Sequence, residues 1–148
     1  MNHQYLASAT EMLLRKAVLE LGREAIDKVN CVLCVTPSAG LIGRQLAQSI
    51  DVDFWEAGSV YDIEDPYWLP SNLCGNALVV CDVVESGSLV RRLFGRMTLN
   101  QLKCMCVLSL LYCDIGSIRG DELGAKFIYG CRVPMMRPSK EVIGKAKA

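Results

Sequence analysis

Residues 77–90, Ala-Leu-Val-Val-Cys-Asp-Val-Val-Glu-Ser-Gly-Ser-Leu-Val, decide how the rest of this 148-residue chain is read. An apolar run from Ala77 meets Asp82. A Ser86-Gly87-Ser88 turn follows, and a new apolar period opens at Leu89, Val90, Leu93, Phe94 and Met97. An unbroken apolar run followed by spacings of three and four predicts a buried strand, a tight loop and the start of a helix.

Such a junction is a natural anion site, because the first N–H groups of a helix have no intrahelical partner and its dipole is positive there. Gly87 lets the backbone approach a ligand, and Ser86 and Ser88 can cap the helix or donate to phosphate oxygens. On geometry alone a plain capping role for either serine serves equally well, since strand-loop-helix junctions occur throughout α/β proteins.

The length suits one domain with a full core and is too short for two. Hydrophobic residues make up 51% and charged ones 22%, a globular balance rather than a disordered one. Charged residues interrupt every candidate for the ~18–20 apolar residues that a bilayer crossing needs. Met1-Asn2-His3-Gln4 lacks the basic region and apolar stretch of a secretion signal, so the expected location is cytoplasmic, with no membrane contact.

Net charge is zero but unevenly placed. No Lys, Arg or His stands between Arg44 and Arg91, where Asp51, Asp53, Glu56, Asp62, Glu64, Asp65, Asp82 and Glu85 are found. The balancing cations lie in the flanks, several of them in a basic tail carrying Arg132, Arg137, Lys140, Lys145 and Lys147. That tail is short and lacks interleaved aromatics, so nucleic acid is not the expected partner.

Eight cysteines raise disulfide and metal readings. Cys31, Cys34, Cys81, Cys104 and Cys106 lie in apolar strand-like runs, where thiols behave as small buried hydrophobes. Cys31 and Cys34 sit three apart in a strand and should point to opposite faces, whereas Cys104 and Cys106 should share one. With His3 the only histidine, no metal site is expected.

Along the chain, Ser8-Ala9-Thr10-Glu11 has capping-box spacing, and a helix with Leu14, Ala17, Val18, Leu21 and Ala25 on one face is expected to end near Val29-Asn30. Cys31 to Val35 reads as the first buried strand, and Leu41, Ile42, Leu46, Ala47 and Ile50 as the apolar side of a second helix. Val52 to Glu56 is a second strand. Residues 58–76 have no period and hold the aromatics Tyr61, Tyr67 and Trp68. Strands at Cys104 to Tyr112 and Lys126 to Tyr129 complete the set, the last at a sheet edge. Asp114-Ile115-Gly116 reads as a turn, and Ser139 as the cap of a brief C-terminal helix.

Alternating strands and helices imply a single-domain parallel sheet with right-handed crossovers, covered on both faces. Residues 1–30 form the N-terminal packing helix, 31–130 the α/β core and 131–148 the basic extension. The ligand crevice of such a sheet lies at the carboxyl ends of its strands, where the loops after Val35 and after Asp82 both fall.

The stretch around Asp82 also resembles the phosphoribosyl-pyrophosphate signature of the type I phosphoribosyltransferases, in the manner of orotate phosphoribosyltransferase-like domains. That signature is an apolar run, an acidic pair, two aliphatics and a hydroxyl-rich glycine loop. Aligned on Gly87, Asp82 is the second acid, Ser86 the hydroxyl before the glycine, and Gly75-Asn76 stands where the family often has Gly-Lys or Gly-Arg. The resemblance implies that Asp82 meets the ribose hydroxyls, that Ser86, Gly87 and Ser88 hold the 5′-phosphate, and that Ser38, Ala39 and Gly40 form a pyrophosphate loop. Active members transfer phosphoribose onto a nitrogen base with magnesium.

Three positions depart from the signature. Cys81 replaces the first acid, Glu85 a small hydroxyl residue, and Leu89 the closing Ser or Thr. A thiol cannot replace a carboxylate as acceptor. A carboxylate ~4 Å from a phosphate opposes it by about 4 kcal/mol per unit charge at an effective dielectric near 20. The segment that resembles the family's mobile loop offers Asp62, Glu64 and Asp65 in place of a basic residue.

The expectation is therefore a phosphoribosyltransferase-fold protein with a diverged site, acting by binding or assembly. Its partner would be a second copy or another protein, met through Tyr61, Tyr67 and Trp68. An active transferase using phosphoribosyl pyrophosphate and magnesium is the alternative, and a nucleoside monophosphate sensor is a third reading.

Overall fold

A computed structural model of the chain describes residues 3–35, 39–84, 88–113 and 125–133. Ser38, Glu85, Ser86, Gly87, the turn at Asp114 and the helix at Ser139 lie outside them.

The elements alternate as expected. Helix α1 (His3–Leu21) and the short α2 (Arg23–Asp27) precede β1 (Cys31–Cys34), α3 (Gly40–Ile50) and β2 (Asp53–Glu56). Then come α4 (Val60–Glu64), β3 (Gly75–Val84), α5 (Ser88–Leu99), β4 (Leu102–Cys113) and β5 (Lys126–Val133). All five strands are parallel, in the order β2-β1-β3-β4-β5. Each crossover carries a helix or a long connection, as parallel neighbours require.

Alternate residues of the strands feed two cores. Val32, Cys34, Leu78, Val80, Cys106 and Leu108 face α1 and α3, packing on Leu6, Leu13, Ala17, Ile42 and Leu46. Cys31, Leu33, Ala77, Val79, Cys81 and Val107 face α5 and the 57–73 region, packing on Ile63, Leu69, Leu93 and Met97. Both faces of the inner strands are therefore apolar, which is why β1 and β3 read as unbroken hydrophobic runs.

Three local expectations are corrected. The first helix does not start at a Ser8 cap: it begins at His3, leaving Ser8 exposed inside it and Glu11 paired with Arg15 at 2.6 Å. Burial of Leu6 and Ala9, two turns and one turn ahead of Leu13, carries the helix past that signal. It also breaks at Gly22, whose φ of 89° suits glycine, so that α2 is a separate piece.

The second correction concerns β4, where Ala77 pairs with Cys104 but Leu78 with Cys106. Met105 is an extra residue in the ladder, a bulge that turns Cys104 to the α5 face and Cys106 to the α1 face. The two thiols do not share a side. Cys31 and Cys34 do point to opposite faces. Third, the 58–76 stretch contains the helical turn α4.

Candidate functional site

Parallel pairing brings the carboxyl ends of the strands to one edge of the sheet. Cys34 is opposite Val80, and the Val35 N–H donates to the Val80 carbonyl at 3.4 Å, so the β1–α3 and β3–α5 junctions lie side by side. Of the junction residues, Ala39 is fully buried ahead of α3, Gly40 opens that helix, and Ser88 is exposed at the start of α5. The Gly75-Asn76 pair is at the other end of the ten-residue β3. There Asn76 clamps strand ends together: its N–H donates to Asn30 Oδ1 at 2.8 Å and its side-chain amide to the Lys28 carbonyl at 3.1 Å.

The acidic-pair positions diverge by face. Asp82 has the parity of Leu78 and Val80 and lies on the α1 side, half-buried. It lines a cavity of about 460 Å³ together with Tyr5, Ser8, Ala9 and Met12 of α1, Leu110 and Leu111 of β4, and Gly130 and Cys131 of β5. Cys81 points the other way, into the α5 core, and is 2% exposed. Burial first, and the neighbouring Cys34 and Asp82 second, push its thiol well above the usual range. At neutral pH it is an uncharged thiol.

The start of α3 carries a feature that composition and spacing did not reveal. A Cβ added at Gly40 would lie 2.6 Å from Glu56 Oε1, and one at Gly43 would lie 2.6 Å from the Phe54 ring. Two glycines nearly one turn apart thus let α3 settle onto the edge strand β2. The Glu56 carboxylate comes to rest against the first residue of the helix. Ala39 offers no side-chain cap, and a negative group near a helix N-terminus is favourable, so Glu56 serves the end of α3 from the neighbouring strand. The glycines were visible in the sequence, but their partners depend on the β1–β2 register.

The aromatic and acidic segment divides its residues between inside and outside. Trp68 is half-buried against the α5-side core, and its indole N–H donates to the Glu56 carbonyl at 3.0 Å. Tyr61 and Tyr67 are 77% and 91% exposed. Asp62 accepts from the Gly58 N–H at 2.6 Å and Asp65 from the Tyr67 N–H at 2.9 Å, so both carboxylates hold their own backbone. Helix α5 brings cations to this stretch: Arg92 reaches Glu64 at 3.5 Å, and Arg96 donates to the Pro66 carbonyl at 2.7 Å. The local run of acids in the chain is thus partly answered in space.

Among the described residues, no group of three His, Cys, Asp or Glu side chains is placed to hold a metal ion. Asp82 beside a buried neutral thiol is a poor donor set for a hard cation such as magnesium, which takes oxygen ligands. Among the same residues, no helix is long and apolar enough to cross a membrane.

The five-stranded parallel sheet flanked by helices is the phosphoribosyltransferase type of α/β fold. The adenine phosphoribosyltransferase of Thermoanaerobacter pseudethanolicus superposes with a TM-score of 0.68 at 14% identity, over 89% of this chain and 83% of that one. The orotate phosphoribosyltransferase of Aeropyrum pernix does so with 0.67 at 15%, over 99% and 78%. A protein from Neisseria gonorrhoeae solved with bound ppGpp gives 0.61 at 13%, over 99% and 92%. No protein-family model matches the chain, and no curated protein does. The likeness is one of fold.

Proposed function

We propose that this chain is a phosphoribosyltransferase-fold protein whose donor site has diverged, and that it acts in the cytoplasm by binding and assembly rather than by efficient transfer. The observation that carries this reading is Cys81. At the position where the resemblance expects the first acid, the side chain is a protonated thiol closed off beneath α5. It can take no ribose hydroxyl, and Asp82 is left to act alone.

The Glu56 carboxylate beside Gly40 supports the same reading, since the adjoining loop is the one that would receive pyrophosphate. A transition state rich in phosphate oxygens needs donors or cations where charge develops, not a second carboxylate. Assembly would use Tyr61 and Tyr67, which stand out from a segment anchored by Trp68. The occupant of that surface would be a second copy or another protein.

A nucleotide-sensing role is the second reading. It draws support from the Neisseria protein, which matches nearly end to end and whose structure holds a guanosine tetraphosphate. In this chain Ser86, Gly87 and Ser88 would bind a phosphate, with no need for pyrophosphate release or magnesium.

The test is thermal unfolding with phosphoribosyl pyrophosphate plus magnesium, with nucleoside monophosphates, and with ppGpp. A ligand at 100 times its dissociation constant adds about 2.7 kcal/mol, a rise of several degrees for ~150 residues. No rise with any ligand is the outcome expected of an assembly protein. A rise with nucleotides alone selects the sensor. A rise with the donor, followed by pyrophosphate release when bases are added, overturns the proposal in favour of an active transferase.

A further inference from the structure

The outer face of α5 carries a glycine that nothing described within this chain requires. The other described glycines have a positive φ or an atom close to where a Cβ would stand. Gly95 has neither. It lies inside α5, it is exposed, and a Cβ built on it meets no described atom within 4 Å. Glycine weakens a helix interior relative to alanine, and here no close approach within the chain offsets that.

The surroundings of Gly95 point to the body that would use the bare helix. Arg92 and Leu99 lie one turn to either side of it, and Leu99 is largely exposed. The 64–73 segment runs along the helix as a strap: Arg92 reaches Glu64, Arg96 donates to the Pro66 carbonyl, and Asn100 donates to the Pro70 carbonyl at 3.0 Å. Tyr67 follows Pro66 with its N–H held by Asp65, so an exposed ring is presented from a braced backbone.

We infer that this face binds a second copy of the chain, with Tyr67 of each copy seated over Gly95 and against Leu99 of the other; the inference rests on the assembly reading above. A tyrosine on a braced backbone fills a notch in a helix with little loss of freedom, and exposed tyrosines are frequent anchors of interfaces. The charges select a second copy over an acidic or a basic partner. Beside the notch, Glu64 and Arg92 are paired at 3.5 Å and each is more than half exposed, so the face shows both signs together. A two-fold axis brings each Arg92 to the other copy's Glu64 and keeps both charges answered, whereas a partner of a single sign meets its own sign at one of them.

The experiment is sedimentation velocity of the full chain over a concentration series. The chain is expected to pass reversibly from monomer to dimer. Gly95→Gln, a better helix former at an open position, should weaken the dimer at least ten-fold while melting no lower in dilute solution. Arg92→Glu and Glu64→Arg should each weaken it too, because like charges then face each other across the axis. An equimolar mixture of those two variants should regain the dimer, since every facing pair is again of opposite sign. A chain that stays monomeric throughout overturns the inference and leaves the assembly reading to another protein. Unchanged affinity in Gly95→Gln, or a mixture no tighter than its components, overturns this face as the contact while self-assembly itself stands.

Discussion

On the α5 face of the sheet the core runs from Cys31 and Ala77 to Val35, Cys81 and Val84, packed against Leu93, Met97, Ile63 and Leu69. On the α1 face the same strands are equally well packed at Val32, Leu78 and Leu108, but their carboxyl ends open into the cavity at Asp82. One residue of parity separates the two: Cys81 belongs to the closed side and Asp82 to the open one. The polar residue stands on the side of the sheet that keeps a cavity beside its strand ends. A neighbouring position can be converted to core.

The largest test of this contrast is truncation on each side. Leu93 is fully buried, so Leu93→Ala should cost about 3–4 kcal/mol of unfolding free energy through lost burial and an unfilled cavity. Met12, half-buried beside an opening, should cost about 1–1.5 kcal/mol when changed to alanine, because it borders space that already exists. Urea unfolding of both variants measures the difference. Equal losses would mean that the α1 side is as tightly closed in solution as the α5 side.

The next effect in size is the response to alkali. Burial, and then Asp53, push the Cys31 thiol up to about 11, and burial pushes Cys106 up to about 12 against a lowering by Lys126. Cys81 and Cys104 are also raised, by burial first. Each folded value exceeds the unfolded one near 9, so above that pH the unfolded chain binds fewer protons than the folded chain. Stability is therefore whole below pH 9 and falls as the pH rises towards 11 and 12. At 1.36 kcal/mol per unit, Cys31 alone accounts for about 2–3 kcal/mol. Cys31→Ala should flatten the fall between pH 9 and 11 in chemical denaturation; an unchanged slope would mean that the thiol is not shielded.

What could be read from the chain follows from how local each determinant is. The strands at Cys31 and Ala77, buried on both sides, declare themselves as apolar runs, and the helices after them by their three-and-four spacing. That the carboxyl ends of β1 and β3 share one edge of the sheet follows from parallel pairing alone. The Met105 bulge could not be read, because it is a relation between two strands, and it inverts the facing of Cys104 and Cys106. Nor could the start of α1, where burial of Leu6 outweighs a local capping signal. At the site, Asp82 was legible as a polar residue ending an apolar run. The cavity beneath it was not, since four elements, α1, β3, β4 and β5, supply its walls.

A smaller effect is expected at the contact of Gly40 with Glu56. Gly40→Ala places a methyl group 2.6 Å from Glu56 Oε1, so the carboxylate must turn out from the end of α3. The cost should be about 1–2 kcal/mol, the usual scale of overpacking. Glu56→Ala should absorb most of it when the two changes are combined, a coupling that a double-mutant cycle reads directly. Additive losses would mean that helix α3 and strand β2 are not held together by this contact.

Smallest in stability, and most informative about assembly, are the exposed tyrosines. Tyr61 and Tyr67 are largely free of the core, so replacing both by alanine should change unfolding free energy by no more than about 0.5 kcal/mol. Trp68→Ala in the same segment should cost more than either, because it removes a half-buried ring and the 3.0 Å bond to the Glu56 carbonyl. If this surface mediates self-association, the double tyrosine variant should lower the mass seen by light scattering while melting at the wild-type temperature. Trp68→Ala would change mass and melting together. An unchanged mass in the tyrosine variant would place any interface elsewhere, and leave the segment as a strap that Trp68, Arg92 and Arg96 hold down over the closed side of the sheet.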